Sequence, residues 1–291
     1  MTHIVESVYP KIRALLSRIM IHELAIGSDI TATTNAVQQI LHTIWTASLT
    51  PVVAPDQRLF ILLLLCSILA IVITPIWGIT RNAVTIAHEG GHAFAALLSG
   101  RKLNYIQLHS DTSGVTVSSG KSYGFGYALT CFAGYASPSL LGILCAWLTT
   151  KGYVTASLWI LVVLLLLMLT RIRNGYGVLA VVVSIVIVAG ISWSADADVR
   201  SSAAYILSWF MLLGGIRPLI ELQAMRARGG GQGSDADQIA RTTHIPGIVW
   251  ILVWLIWNLA FLWLGATWMT QSFGGIHAVW VSLINLIPAL Q

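Results

Sequence analysis

From Leu59 to Ile79 the chain runs without one charged side chain, and runs of the same kind recur at 125–149, 154–170, 176–194 and 246–268. A helix needs about 20 apolar residues to cross a bilayer core, so runs of this length read as spanning helices. Composition agrees: of 291 residues, 56% are hydrophobic and 9% charged, and mean hydropathy is +0.80. A soluble domain carries charge on about a quarter of its residues, and no water-soluble core of this size hides so much apolar surface. A further run at 202–220 is interrupted only by Arg217, the segment 82–99 is less apolar but helical in pattern, and 273–290 reads as a last span or a re-entrant piece. The expected fold is an all-α polytopic membrane protein, a bundle of about seven to eight transmembrane helices.

Ahead of these spans lies a different kind of sequence. Residues 4–20 set Ile4, Val5, Val8, Ile12, Leu15, Leu16 and Ile19 against Lys11, Arg13 and Arg18, the pattern of an amphipathic helix with a basic face. Such a helix is expected to lie in the membrane interface, with 24–57 as a mixed polar connector. We therefore divide the chain into an N-terminal extension, 1–57, and a membrane-embedded domain, 58–291. No removable signal peptide is expected. Between 100 and 124 a Ser/Gly/Thr-rich stretch alternates Ile106 with Leu108 and Val115 with Val117, which predicts a short hairpin inserted between helices. Cys66, Cys131 and Cys145 sit inside apolar stretches and read as small core residues. The Trp-rich region 246–280 reads as an interfacial belt.

Threading these spans with 82–99 as a full crossing puts every basic residue except Arg81, Lys151 and Arg200 on the side of the N-terminus, Arg217 included. That side is then cytoplasmic. The net charge of +5 anchors the protein at an anionic leaflet and is no nucleic-acid footprint.

One span carries chemistry. His88-Glu89-Gly90-Gly91-His92 places two imidazoles one helical turn apart on one face, where they can chelate a single metal ion. Glu89 lies about 100° round the helix, beside the metal, as a general base for water must. Two histidines and a glutamate cost several kcal/mol in an apolar span unless they are paired, which argues against a chance match. Zinc suits imidazole and carboxylate ligands with an open position. Gly90 and Gly91, both poor helix formers, either leave room for a substrate backbone or allow close helix packing. A hydrolytic zinc takes a third protein ligand. His109, Asp111, Asn174, Asp235 and Asp237 lie on the side of His92, whereas Asp196 and Asp198 lie on the other. Asp235 opens a helix in Gly233-Ser234-Asp235-Ala236-Asp237, so on residue chemistry alone it serves equally as ligand or N-cap.

These residues resemble the site-2-protease-related intramembrane metallopeptidases, in particular the compact "peptidase family fifty B-like" membrane proteins. The resemblance covers about 80–270. It rests on His88-Glu89-Gly90-Gly91-His92, Ser99-Gly100-Arg101, the hairpin residues Ser110 to Thr116, Ala133-Gly134-Tyr135 with Pro138 and Gly142, Arg173-Asn174-Gly175-Tyr176-Gly177, and Ser234-Asp235-Ala236-Asp237 leading to Ile245-Pro246-Gly247. It implies a zinc metalloendopeptidase that cuts membrane-protein or transmembrane-peptide substrates in or near the bilayer, with His88 and His92 as ligands and Glu89 as base. Where better-studied members carry an Asp before Gly in a later span, this chain has Asn174-Gly175. Neutral Asn is a weak zinc ligand, and the recurring Ser-Asp-Ala segment of the compact group points to Asp235 as the third. Two rivals stand beside this reading: a zinc-binding scaffold that holds partner helices without cutting them, and a metal or proton transporter using the same residues as a relay.

Overall fold

The computed structural model describes residues 32–194 and 196–286. The chain separates into two compact units, residues 1–47 and 48–291. The interfacial helix expected at 4–20 lies outside the described residues. Helix α1 runs over 32–49, where a polar connector was expected. Val37, Ile40, Leu41, Ile44 and Trp45 explain it: they fall at helical spacing, and the intervening Thr, Gln and Asn mask the pattern in the average hydropathy.

The second unit is mostly helical. It contains α2 (Gln57–Val72), α3 (Thr74–Leu98), the strands β1 (Lys102–Leu108) and β2 (Gly114–Ser119), α4 (Phe125–Thr150), α5 (Val154–Leu169) and α6 (Gly175–Ser194). There follow α7 (Ala197–Gly214), α8 (Ile216–Ala227), α9 (Asp235–Thr243), α10 (Gly247–Thr270) and α11 (Gly275–Leu286). Four stretches among the described residues are long and apolar enough to cross a membrane: α4, α6, α7 with α8, and α10 with the turn after it. The pair α2 and α3, bent by 99°, makes a fifth if it counts as one span. The chain is thus a multi-pass membrane protein by the length and apolarity of its helices.

The count of seven to eight spans is not reached, for local reasons. Helices α2 and α5 have 16 residues each, short of the about 20 that a crossing takes. The apolar run 59–79 is not one helix, because Ile73 adopts an extended conformation and Pro75 starts a new helix in its first turn. The helical pattern of 82–99 therefore falls in the later part of a helix that begins at Thr74. Of 273–290, α11 covers 12 residues and 287–290 lie outside the described residues.

A polar cluster holds the bend between α2 and α3. The Arg217 guanidinium bonds the carbonyls of Ile71 and Val72 at the end of α2 and lies over the Trp77 ring. Cations are favoured at helix C-termini, where carbonyls lack partners. Glu221, one turn further along α8, takes bonds from Arg217 Nε (2.9 Å) and Trp77 Nε1 (3.0 Å) and pairs with Arg81 at 3.3 Å. Arg81 and Arg217 thus share one carboxylate. The threading that set them on opposite sides of the membrane fails here, because 59–79 and 82–99 were counted as two crossings.

Trp254, read from sequence as part of a belt, is fully buried. Its indole N–H donates to the Phe132 carbonyl at 2.9 Å, and Asn258 donates to the Tyr135 carbonyl at 3.1 Å, so α10 is fastened to the middle of α4 by side chains reaching backbone oxygens. Trp263 and Trp280 remain exposed. Cys131 and Cys145 are buried and free, as expected of core residues.

The hairpin forms where alternation predicted it, with Ile106 opposite Thr116 and Leu108 opposite Gly114. Ile106 and Leu108 are buried, and directly opposed residues share a sheet face. The inward residues of β2 are therefore Gly114 and Thr116, not the valines, and Val115 is 45% exposed. The outer edge of β1 is filled: Ile106 bonds the backbone of Arg171 and Arg173 in a parallel bridge, and the Asn174 amide bonds both the N–H (3.2 Å) and the C=O (2.5 Å) of Leu108.

Candidate metal centre

Helix α3 presents His88 and His92 from the same face, as their four-residue spacing requires, and the two Nε2 atoms stand 3.0 Å apart. Asp235, the first residue of α9, brings Oδ2 to 3.1 Å from His88 Nε2 and 3.2 Å from His92 Nε2. Three ligand-type atoms from residues 147 positions apart in the chain converge on one point, and this trio can hold a metal ion. Ligand atoms on a tetrahedral zinc at its usual bond lengths of about 2.0–2.1 Å sit roughly 3.3 Å from each other. The spacing fits. The N-cap of α9 is Ser234, so the capping alternative for Asp235 gives way to a side chain that reaches the imidazoles.

His92 is oriented from behind. Its Nδ1 lies 2.7 Å from the carbonyl oxygen of Thr130 on α4. A carbonyl has no proton to give, so Nδ1 carries the hydrogen, and whenever the ring is neutral its lone pair is on Nε2, facing Asp235. This is the arrangement by which metal-binding histidines have their tautomer fixed. The His88 ring packs edge to face on Tyr135, with centroids 4.7 Å apart. Burial by itself would raise the pKa of the Asp235 carboxyl; the charge of His92 and His88 when protonated, with the hydrogen bonds of both rings, outweighs that and holds it below the usual carboxylate range.

Two glycines let the helices come this close. A β-carbon on Gly134 would lie within 3.0 Å of atoms in both imidazoles. One on Gly91 would run into Ser137 and the Ala133 carbonyl of α4. Of the two readings of the Gly90-Gly91 pair, close packing explains Gly91, while a β-carbon on Gly90 meets nothing within 4 Å.

Asp235 is held by its own short helix. Ala236 and Ile239 bury its apolar side, Asp237 pairs with Arg226 and accepts from the Gly233 N–H at 3.0 Å, and Gln238 accepts from the Tyr127 hydroxyl at 2.8 Å. Asp237, a ligand alternative in the sequence, is thus engaged in fastening α9.

The remaining alternatives lie elsewhere. Asp111 sits in the exposed hairpin turn, where the hydroxyl and amide of Ser113 bond its Oδ1 and hold its carboxyl below the usual range. His109 lies 3.3 Å from the same hydroxyl. Asn174 is committed to Leu108. Asp196 caps α7. Glu89 is 3% exposed and its Oε2 accepts from Thr116 Oγ1 at 2.6 Å.

Sequence reasoning missed Thr116, Thr130 and the role of Gly134. A glycine inside an apolar span is the available signal for Gly134. Thr130 acts through its carbonyl, which leaves no mark on residue type. No curated protein and no solved structure matches this chain. The Peptidase M50B-like family matches residues 61–265. That interval carries α3, the hairpin, α4 and α9, with all three converging side chains, and over more than half its length the chain is a member of the Peptidase M50B-like family.

Proposed function

We propose that the protein is an intramembrane zinc metalloprotease that hydrolyses peptide bonds of membrane-protein substrates in or near the bilayer, with His88, His92 and Asp235 as zinc ligands and Glu89 as general base. Membership of a peptidase family implies protein substrates, and the apolar helices put the reaction in a bilayer context. The observation that carries the reading is the convergence of two imidazole nitrogens and a carboxylate oxygen, with His92 turned by the Thr130 carbonyl so that its Nε2 faces the others.

Lewis acidity is what zinc supplies when bound: it brings the pKa of water toward about 7 and polarises a carbonyl. Glu89 then takes the proton of the attacking water and passes it to the amine as the carbon–nitrogen bond breaks. A transmembrane helix must expose its backbone before it can be cut. The hairpin offers a place for the unwound segment. Because Ile106 and Leu108 turn their backbone groups toward Ile172 and Asn174, the opposing Gly114 and Thr116 turn theirs to the outer edge of β2, next to Glu89. That edge can accept a substrate strand. Arg101, Lys102, Lys121 and Arg171 gather at the open end of the hairpin, where Lys102 pairs with Ser119, Arg101 bonds the Lys121 and Ser118 carbonyls and Arg171 reaches the Leu103 carbonyl, so we place that end toward the cytoplasm.

The test compares membrane proteomes of cells carrying the intact protein or Glu89→Gln. Membrane-protein fragments present only with intact protein are the expected result. An unchanged fragment set favours the non-cutting zinc scaffold.

A further inference from the structure

Strand β2 breaks the usual rule of alternation. It turns Gly114 and Thr116 inward and leaves Val115 exposed, although a half-buried strand ordinarily buries its β-branched apolar residues. The reason lies across the strand on α3, at Glu89.

Thr116 Oγ1 donates to Glu89 Oε2 at 2.6 Å and lies 3.1 Å from the Glu89 carbonyl. Among the described residues it is the one side chain that bonds this carboxylate. Gly114, two residues earlier and so on the same face, completes the seat: a β-carbon there would come within 3.0 Å of Glu89 Oε1, Cγ and Cδ. One inward position gives a donor and the next gives room.

The strand is itself fixed by contacts that do not involve Glu89. Thr85, one turn before Glu89, donates to the Thr112 carbonyl at 2.8 Å, and Thr112 sits in the left-handed region with φ 66°. On the other side β1 is clamped by Asn174 and bridged to Ile172. A hydroxyl held this way is a firm reference point for a buried carboxylate.

We infer that Thr116 is a positioning residue for Glu89: its hydroxyl fixes one carboxylate oxygen and leaves the other to receive the proton, in a space kept open by Gly114. The inference rests on the reading of Glu89 as the base. It also means that the strand whose outer edge faces the substrate is the strand that aims the base.

The test uses the full-length protein with Thr116→Val, which keeps the shape and removes the hydroxyl, and Thr116→Ser, which keeps the hydroxyl. A reporter transmembrane segment carrying a bond found cut in the proteome comparison serves as substrate. Thr116→Val is expected to keep its zinc and its KM and to lose roughly ten- to a hundredfold in kcat, the worth of a hydrogen bond to a charged group. Thr116→Ser recovers most of that loss. An independent readout is the carboxylate stretch of Glu89, isolated as the infrared difference between wild type and Glu89→Gln; it shifts in Thr116→Val and stays in Thr116→Ser. Wild-type kcat with an unmoved band in Thr116→Val overturns the inference, as does zinc loss in that variant or failure of Thr116→Ser to recover. If the intact protein cuts nothing, or Glu89→Gln cuts equally well, the protease reading has failed, and the infrared band alone decides whether Thr116 seats the carboxylate.

Discussion

His88 and His92 stand on a 25-residue helix that meets α4 through glycine, whereas Asp235 stands on a nine-residue helix that follows the glycine-rich run 229–233 and is tied down largely by polar side chains. On the first wall, position comes from shape. The α3 and α4 backbones approach until the imidazoles fill the groove that Gly134 leaves, and close-packed interfaces tolerate little added volume. On the second wall, position comes from charge and hydrogen bonds, namely Arg226 to Asp237 and Tyr127 to Gln238. Errors in the first kind of wall are absolute, because atoms cannot overlap. Errors in the second are graded, because a lost polar tie loosens a helix without dislodging it.

The largest effect is therefore expected at Gly134. Gly134→Val puts a branched side chain where the two imidazoles stand, and overpacking of this kind costs about 1–3 kcal/mol or more. Zinc content by elemental analysis should fall to background and the melting temperature should drop. Gly90→Ala should leave zinc content unchanged and hold or raise the melting temperature, since a β-carbon there has open space and alanine is the better helix former. Zinc retained in Gly134→Val would break the claim that shape sets the first wall.

Asp235→Ala comes next. It removes one of three converging ligand atoms while Ser234 stays as N-cap and Ala236 and Ile239 keep α9 packed. A folded protein with little bound zinc is the expected outcome, and full zinc content would move the third ligand elsewhere. Asp237→Asn is a milder test of the same wall. It weakens the pairing with Arg226 and leaves all ligands in place, so zinc affinity measured by chelator competition should fall, by less than the about 10- to 100-fold that follows loss of a group bonded directly to a ligand.

The contrast between the walls also explains what could be read without a structure. The pair His88 and His92 is local, fixed by the 3.6-residue turn of one helix, so its geometry follows from spacing. The hairpin likewise follows from local alternation. Asp235 is brought 147 positions back along the chain by packing and polar ties, and residue chemistry alone left it even with a helix cap; the family resemblance tipped the choice. The span count failed where one dipeptide outweighed an apolar run: Ile73 and Thr74 ahead of Pro75 turn what reads as one crossing into a 99° bend. The inward Thr116 was hidden because Val115 and Val117 are the residues that alternation selects for burial, and only the register against Ile106 shows which face of β2 meets Glu89.

The smallest expected effect is at Asp111, and it sharpens the comparison by marking where the second wall ends. By sequence Asp111 competed with Asp235 for the third ligand position, yet its carboxylate is spent on the Ser113 amide and hydroxyl in an exposed turn. Its pKa is depressed in the folded protein, so the stabilisation it gives that turn is present above the ordinary carboxylate pKa of about 4 and is lost as pH falls through the lower folded value. At neutral pH, Asp111→Ala should remove only this local tie. Zinc content should equal that of the wild type in the same preparation in which Asp235→Ala is depleted. Equal depletion in both variants would mean that the hairpin turn, and not α9, supplies the carboxylate, and the division into a wall set by shape and a wall set by polar ties would have to be redrawn with Asp111 in place of Asp235.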